Sequence, residues 1–139
     1  MDKSVFNSIV ALIATFYTWL FGAWDIAICV LITFMALDYA TGLIKGYVFK
    51  CLSSDVGLKG LTRKALIFIV LIVAVLLDRL TGTGQWVFRT AVCYFYIANE
   101  GLSLLENCTQ LGLPLPDRLK DALIQLKQGN KKECKGAKE

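Results

Sequence analysis

A regular series of polar side chains interrupts the last apolar stretch of this chain. Its members recur at alternating steps of four and three residues, which places them on one face of a helix. They are Arg89, Cys93, Tyr96, Glu100, Ser103 and Asn107, with Asn99 and Glu106 beside them. A charge near the centre of a bilayer costs roughly 2.5 to 3.5 kcal/mol on insertion scales. We therefore predict that this face lines a pore or lies between subunits, with packing inside a tight bundle as an equally weighted alternative.

A shorter polar face interrupts the second apolar stretch. Asp38, Thr41 and Lys45 lie at steps of three and four near its end, and we predict the same pore-lining or intersubunit role for them. Asp38 and Glu100 should lie at similar depth, where two unpaired carboxylates would repel each other. We expect a basic side chain of the same or a neighbouring subunit to pair with one of them, unless both contact water. The candidates for this partner are Lys45, Lys64 and Arg89.

The sequence shows no residue pattern typical of an enzyme. The chain contains no histidine, and its five cysteines show no C-x-x-C spacing, so we predict no catalytic residue, no metal site and no cofactor. A phosphate-binding glycine loop and a nucleophile elbow are both lacking. The net charge of +4 invites a nucleic-acid partner, but the distribution of the charge along the chain argues against one.

The polar faces belong to apolar segments of membrane-spanning length. The chain has 139 residues and is 56% hydrophobic, and one helical crossing needs about 20 apolar residues. We predict helices at about 5–24, 26–44, 65–80 and 86–106. The fold class is therefore all-α, a small polytopic membrane protein with three to four transmembrane helices and a short cytoplasmic amphipathic helix. Three helices cross if residues 5–24 lie in the interface or re-enter, and four if they span the membrane.

The distribution of lysine and arginine predicts the orientation. Five of them lie in the link at 45–64 and seven follow Cys108, whereas the link at 78–85 carries Arg79 alone, balanced by Asp78. Because cytoplasmic loops concentrate basic residues, we place the 45–64 link and the C-terminus in the cytoplasm. Residues 1–107 then form a transmembrane domain, and residues 108–139 form its cytoplasmic continuation.

The cytoplasmic continuation divides into three parts. Prolines 114 and 116 break the helix, and an amphipathic helix is predicted at 117–127. A basic tail follows, in which each residue near the surface contributes about 1 kcal/mol toward binding anionic headgroups. Its lysines are Lys127, Lys131, Lys132, Lys135 and Lys138. A solvated tail that only fixes the orientation is the alternative.

The first apolar stretch carries its own stripe of small and hydroxylated residues. From Ser4 onward they recur at steps of four and three, and they are Ser8, Ala11, Thr15, Thr18 and Gly22. Small residues let helices approach closely in lipid, so we predict a helix-packing face for self-association. A pore lining is the alternative, because hydroxyl groups tolerate water.

From about residue 25 to residue 126 the sequence resembles the small phage holins of the toxin-secretion and phage-lysis holin family. The order and spacing of several short motifs carry this resemblance. They are Leu37-Asp38-Tyr39 with Thr41-Gly42, Leu52-Ser53-Ser54 before Gly57 and Gly60-Leu61, Arg63-Lys64, Phe95 to Ser103, Leu105-Glu106-Asn107, and Leu111 to Pro116 with Leu119-Lys120.

The resemblance implies a protein that oligomerises in the bacterial cytoplasmic membrane and opens lesions at a set time. A muralytic enzyme (endolysin) or a protein toxin would pass through as cargo. The expected partners are therefore further copies of the chain and the lipid bilayer. A small oligomeric ion channel or transporter stays open as an alternative, since intramembrane charges also serve ion pathways. A non-conducting regulator of the antiholin type stays open as well.

Overall fold

Five α-helices account for most of the chain. A computed structural model describes residues 2–22 and 24–128, except for the side chains of 56 and 126–128. The helices are α1 Lys3–Phe21, α2 Ile26–Val48, α3 Ser54–Thr81, α4 Val87–Gln110 and α5 Asp117–Gln128. The predicted fold class, an all-helical small polytopic membrane protein, is confirmed.

Helices α1, α2 and α3 are each long and apolar enough to cross a membrane. At 1.5 Å per residue, the 19 residues of α1 extend about 28 Å, close to the ~30 Å hydrocarbon core. The 24 residues of α4 extend about 36 Å, which is also sufficient. Helix α4 is not among the three apolar candidates, since it carries the long polar face.

Helix α3 begins at Ser54, about three turns before the start predicted near residue 65. The basic link expected at 45–64 is therefore mostly helical, because α2 continues to Val48 and only residues 49–53 connect the two helices. The prediction ended both helices where the apolar run ended. Lysine and arginine are good helix formers, however, and Asp55 in the first turn of α3 favours the helix dipole.

Backbone conformation defines two of the helix ends. Helix α1 ends at Gly22, whose φ of +82° favours glycine, and Trp24 lies beyond the helix although it was predicted within it. At the end of α4, Leu113 N–H donates to Cys108 C=O at 3.0 Å and Gly112 N–H to Thr109 C=O at 2.9 Å. These two bonds form a Schellman motif around Gly112, whose φ is +92°.

Helix α4 is the centre of the molecule and packs against α2, α3 and α5. Leu31, Leu71 and Cys93, one from each of α2, α3 and α4, are fully buried in the core. Helix α1 packs on α3 near its own C-terminus, where the Phe21 and Phe68 ring centroids lie 5.7 Å apart. All of the residues of α1 before Tyr17 are exposed.

Helix α5 folds back onto the side of α4. A methyl group built on Gly101 would lie 3.0 Å from both Leu123 Cδ1 of α5 and Phe34 Cε2 of α2. The glycine therefore allows α5 to approach the seam between α2 and α4. The division into a transmembrane domain and a cytoplasmic part stays a prediction. The basic tail at 129–139 and the Lys127 side chain lie outside the described residues.

Candidate functional site

The chain reverses direction at two ends of the bundle, and each end has its own polar network. The end with the links at 22–25 and 82–86 is termed the Arg89 end. The end with the links at 49–53 and 111–116 is termed the Asn107 end. The network of the Asn107 end is centred on Lys64 and extends toward the middle of the bundle. It is termed the central network.

Lys64 is the hub of the central network. Its ammonium group donates to Asp38 Oδ2 of α2 at 2.8 Å and also to Glu100 Oε2 of α4. The side chain of Glu100 is only 2% exposed, and those of Lys64 and Asp38 are 11% and 14% exposed. One cation from α3 therefore holds two carboxylates on the helices to either side. The prediction that a basic side chain pairs with one of these carboxylates is confirmed within one chain, and Lys64 pairs with both Asp38 and Glu100.

Asn107 continues this network toward its end of the bundle. Its amide oxygen accepts a hydrogen bond from Lys45 Nζ at 2.9 Å. Its amide nitrogen donates to Asp38 Oδ1 at 3.1 Å and to Thr41 Oγ1 at 3.3 Å. The α2 face predicted from Asp38, Thr41 and Lys45 thus meets the α4 face directly.

Arg89 forms the second network. Its guanidinium donates to both carboxylate oxygens of Asp25, at 2.7 and 3.1 Å, and its Nε donates to the Phe21 carbonyl at 2.8 Å. The bidentate pair joins the start of α4 to the link between α1 and α2. The hydrogen bond from Arg89 lowers the pKa of Asp25 below its ordinary value of 3.8, although partial burial acts in the opposite direction. The bond to Phe21 also satisfies one of the last carbonyls of α1.

Arg79 holds the end of α1 from α3. Its guanidinium donates to the Trp19 carbonyl and lies 4.8 Å from the centroid of the Trp19 ring, a cation–π distance. Two arginines, Arg79 and Arg89, therefore bind carbonyls in the last turn of α1. A cation at that position also complements the negative end of the helix dipole.

The start of α4 is capped by a residue from α3. Trp86 makes no side-chain capping bond at this helix start. The Asp78 carboxylate instead accepts the backbone N–H groups of Phe88 at 2.9 Å and Arg89 at 2.8 Å. The negative charge also complements the helix dipole, so Asp78 orients α4 relative to α3.

Most of the predicted α4 face points into the bundle. Arg89, Cys93, Glu100 and Asn107 are buried. Tyr96, Asn99 and Ser103 are half-buried, and Glu106 is exposed. Within the described part of the chain, every buried side-chain nitrogen or oxygen has a hydrogen-bond partner. In this conformation the face packs inside the monomer, and a pore-lining or intersubunit role stays a prediction.

The predicted packing face of α1 divides into two parts. Ser8, Ala11, Thr15 and Thr18 are exposed. Gly22 is buried. It lies against Arg89, since a methyl group built on Gly22 would lie 3.0 Å from Arg89 Nε. Gly22 therefore serves a contact within the chain. Self-association through the other four residues stays a prediction.

Sequence reasoning did not select Asp25 and Asp78 as site residues. Each has a local signal in retrospect, since Asp25 directly precedes α2 and accepts the Ile28 N–H at 3.1 Å. Asp78 precedes the short turn before α4, but only the tertiary structure shows that it reaches across that turn. Among the residues that the structure describes, no group of three or more histidine, cysteine or acidic side chains is placed to hold a metal ion.

Comparison with known proteins identifies the family. The model of the bacteriophage holin family matches residues 15–128, which is most of the chain. The chain belongs to this family. The predicted resemblance is confirmed, and the holin match begins earlier than expected, within α1.

Relatives in this holin family occur in bacteria and in a phage. An uncharacterized 14.9 kDa protein in the nagH 3′ region of Clostridium perfringens is 57% identical over 120 residues, covering 86% of this chain and 89% of the relative. A probable holin of Bacillus phage phi105 is 41% identical over 95 residues, covering 68% of this chain and 69% of the relative. No solved structure significantly matches the chain. The holin family is not a class of enzymes.

Proposed function

We propose that the chain is a holin of the bacterial cytoplasmic membrane, which oligomerises and opens lesions that release an endolysin or a protein toxin. The observation that carries the proposal is membership of the holin family, together with the probable phage holin among the relatives. Three helices of spanning length and composition are consistent with residence in the membrane.

A hole wide enough for a protein requires many copies of the chain. Five thin helices cannot enclose such an opening, so each subunit must contribute one wall with water on one side and lipid on the other. The α4 face from Arg89 to Asn107 has the required polarity. In this proposal the structure is that of a closed subunit, because Arg89, Cys93, Glu100 and Asn107 of this face are buried.

Opening exchanges buried ion pairs for contact with water. Removing an ion pair from water costs several kcal/mol per ion, which the attraction within the pair offsets only in part. Separation of Lys64 from Asp38 and Glu100 therefore has a low net cost when water replaces the lost contacts. Water would not stabilise the exposed side chains of an apolar core of the same volume, so opening such a core would cost more.

Induced expression of the chain alone in bacteria tests this proposal. Abrupt release of a cytosolic enzyme is the expected result. Ion leakage without enzyme release would indicate a narrow channel, and the absence of both would indicate a regulator. Each of these two outcomes contradicts the proposed function.

A matched pair of variants tests the mechanism. Glu100→Gln weakens the bond to Lys64 and should advance or delay the onset of release, whereas Glu106→Gln removes the same charge from an exposed position of α4 and should not. Membrane insertion is measured for both by fractionation. Unchanged timing in Glu100→Gln would mean that the central network serves packing alone.

A further inference from the structure

Two opposite charges on the surface of the bundle have no partner among the described residues. They are Arg63 of α3 and Asp121 of α5, and both are exposed. Neither side chain takes part in an ion pair or hydrogen bond with the residues that the structure describes. The two do not satisfy each other within one chain, because among the described helices α5 packs on α4 and not on α3.

The two charges lie at nearly the same height in the bundle. Arg63 directly precedes Lys64, whose ammonium group binds Glu100 of α4. A methyl group built on the next residue of α4 would lie 3.0 Å from Leu123 of α5. Asp121 lies two residues before Leu123, which is about 3 Å along the helix. Arg63 and Asp121 therefore agree in height to within about one helical turn, and the long side chain of arginine spans such a difference.

This height falls inside the hydrocarbon layer that α2 crosses. The methyl group that would meet Leu123 would also lie 3.0 Å from Phe34, which is nearly midway between Asp25 and Lys45 of the α2 segment. Those two charged residues are about 30 Å apart along the helix, the thickness of the hydrocarbon core. With them at the two surfaces, Leu123 lies near the middle of the layer and Asp121 lies close to it. Contact with lipid is costly for a charged side chain at this depth.

The surroundings of Arg63 favour a carboxylate. Lys45, Arg63 and Lys64 line a cavity between α2, α3 and α4 together with Asp38, and Glu100 is the other partner of Lys64. Three cations against two carboxylates leave a net charge of +1. One further carboxylate at the exposed Arg63 would neutralise this cluster.

We propose that Arg63 of one copy of the chain pairs with Asp121 of a second copy in the membrane. The pair withdraws both charges from lipid and covers the outer face of the docked α5. In the proposed function the structure is that of a closed subunit, so a neighbouring copy rather than the water of a lesion meets this face. The inference rests on the proposed function, which requires many copies, and it names two residues through which the copies meet.

Charge reversal tests the pair. Self-association of the purified full chain is measured by Förster transfer between donor- and acceptor-labelled copies in phosphatidylcholine vesicles. Arg63→Asp and Asp121→Arg each bring like charges together, and each alone should weaken association by about tenfold or more. The two changes combined in one chain restore opposite charges. Association of this double variant should return to within about threefold of the unsubstituted chain, as coupled residues require.

The matched control is Lys59→Asp, which reverses another exposed charge one turn away on α3. It should stay within about twofold of the unsubstituted chain, because an isolated exposed charge contributes little. Far-UV circular dichroism of each variant establishes that the helices are retained. Equal weakening in the control, or a double variant no stronger than the single ones, would refute the pair. Unchanged association in both single variants would mean that lipid or water, and not a second copy, meets Asp121.

A cross-link tests the same contact without reversing a charge. Arg63→Cys and Asp121→Cys are placed in separate chains whose natural cysteines are replaced by serine, and the two proteins are reconstituted together. Oxidation should join the two different variants, as mass spectrometry of the linked peptides establishes. Products that join only two copies of the same variant would refute the contact. Lack of this cross-link in a chain that still releases a cytosolic enzyme would refute the interface alone, whereas lack of release would refute the proposed function.

Discussion

The carboxylate of Asp78 on α3 accepts the backbone N–H of Arg89 on α4 at 2.8 Å. A residue of one helix thereby supplies the cap that the next helix lacks in its own sequence. The side chain of the same Arg89 binds Asp25 and the end of α1. The starts of α2 and α4 and the ends of α1 and α3 are therefore joined through these two residues.

Replacement of this cap should destabilise the bundle. Asp78→Ala removes the acceptors of a buried N–H, that of Arg89, and a part-buried one, that of Phe88. We expect a loss of about 1 to 2 kcal/mol in the free energy of unfolding. The measurement is unfolding in mixed detergent micelles, followed by circular dichroism. Asp55→Ala, an exposed acidic residue in the first turn of α3, serves as the control. An equal loss in the control would contradict the capping role.

Removal of Lys64 should be more costly. Lys64→Met leaves Asp38 and Glu100 buried without their shared cation, and breaking a buried pair in this way costs about 3 to 5 kcal/mol. The exposed Lys59→Met should change stability by less than about 0.5 kcal/mol. Adding Asp38→Asn and Glu100→Gln to Lys64→Met should recover part of the loss, because the uncompensated charges are gone. A triple variant less stable than Lys64→Met would show that the charges are not the cause.

The pair between Asp25 and Arg89 should weaken in acid. Because folding lowers the pKa of Asp25 from its ordinary 3.8, the pair contributes fully above that value. Its contribution is lost as the pH falls from 3.8 through the lower folded-state pKa. Asp25→Asn lacks this titration. The difference in unfolding midpoint between the two proteins should be constant from pH 7 to pH 5 and shrink below 3.8. A constant difference down to pH 2.5 would contradict the assignment.

The docking of α5 should depend on the lack of a side chain at Gly101. Gly101→Ala places a methyl group 3.0 Å from Leu123 and Phe34, so α5 must shift away. Gly42→Ala places its methyl group 3.8 Å from Asn107, an ordinary contact, and both changes carry the same gain in helix propensity, about 1 kcal/mol. We expect faster amide hydrogen exchange in α5 for Gly101→Ala alone. Equal exchange in the two variants would show that α5 is not held by this contact.

The orientation can be measured with a natural cysteine. Cys51 is exposed in the link between α2 and α3, which the charge distribution places in the cytoplasm. In a variant with the other four cysteines replaced by serine, a membrane-impermeant maleimide should label Cys51 only after the cells are permeabilised. The experiment is made before any lesion opens. Labelling of intact cells would reverse the predicted topology.

The sequence by itself determined the fold class and the polar face of α4, and it predicted that a basic residue pairs with Asp38 or Glu100. These features follow from the length of the apolar segments, the spacing of polar residues by three and four, and the cost of an unpaired buried charge. Each of these depends on nearby residues or on one face of one helix, so each can be recognised in the sequence. The same reasoning placed the start of α3 too late. It treated the end of the apolar run as the end of the helix, although charged residues such as Lys59 and Arg63 continue it.

Only the tertiary structure decided which partners meet. Lys64, rather than Lys45 or Arg89, lies between Asp38 and Glu100 because the relative rotation and height of α2, α3 and α4 bring it there. Asp78 caps α4 and Arg89 binds Asp25 for the same reason. Ion pairs and hydrogen bonds require contact within about 3 Å, and helix periodicity fixes the face of a residue but not the neighbour it contacts.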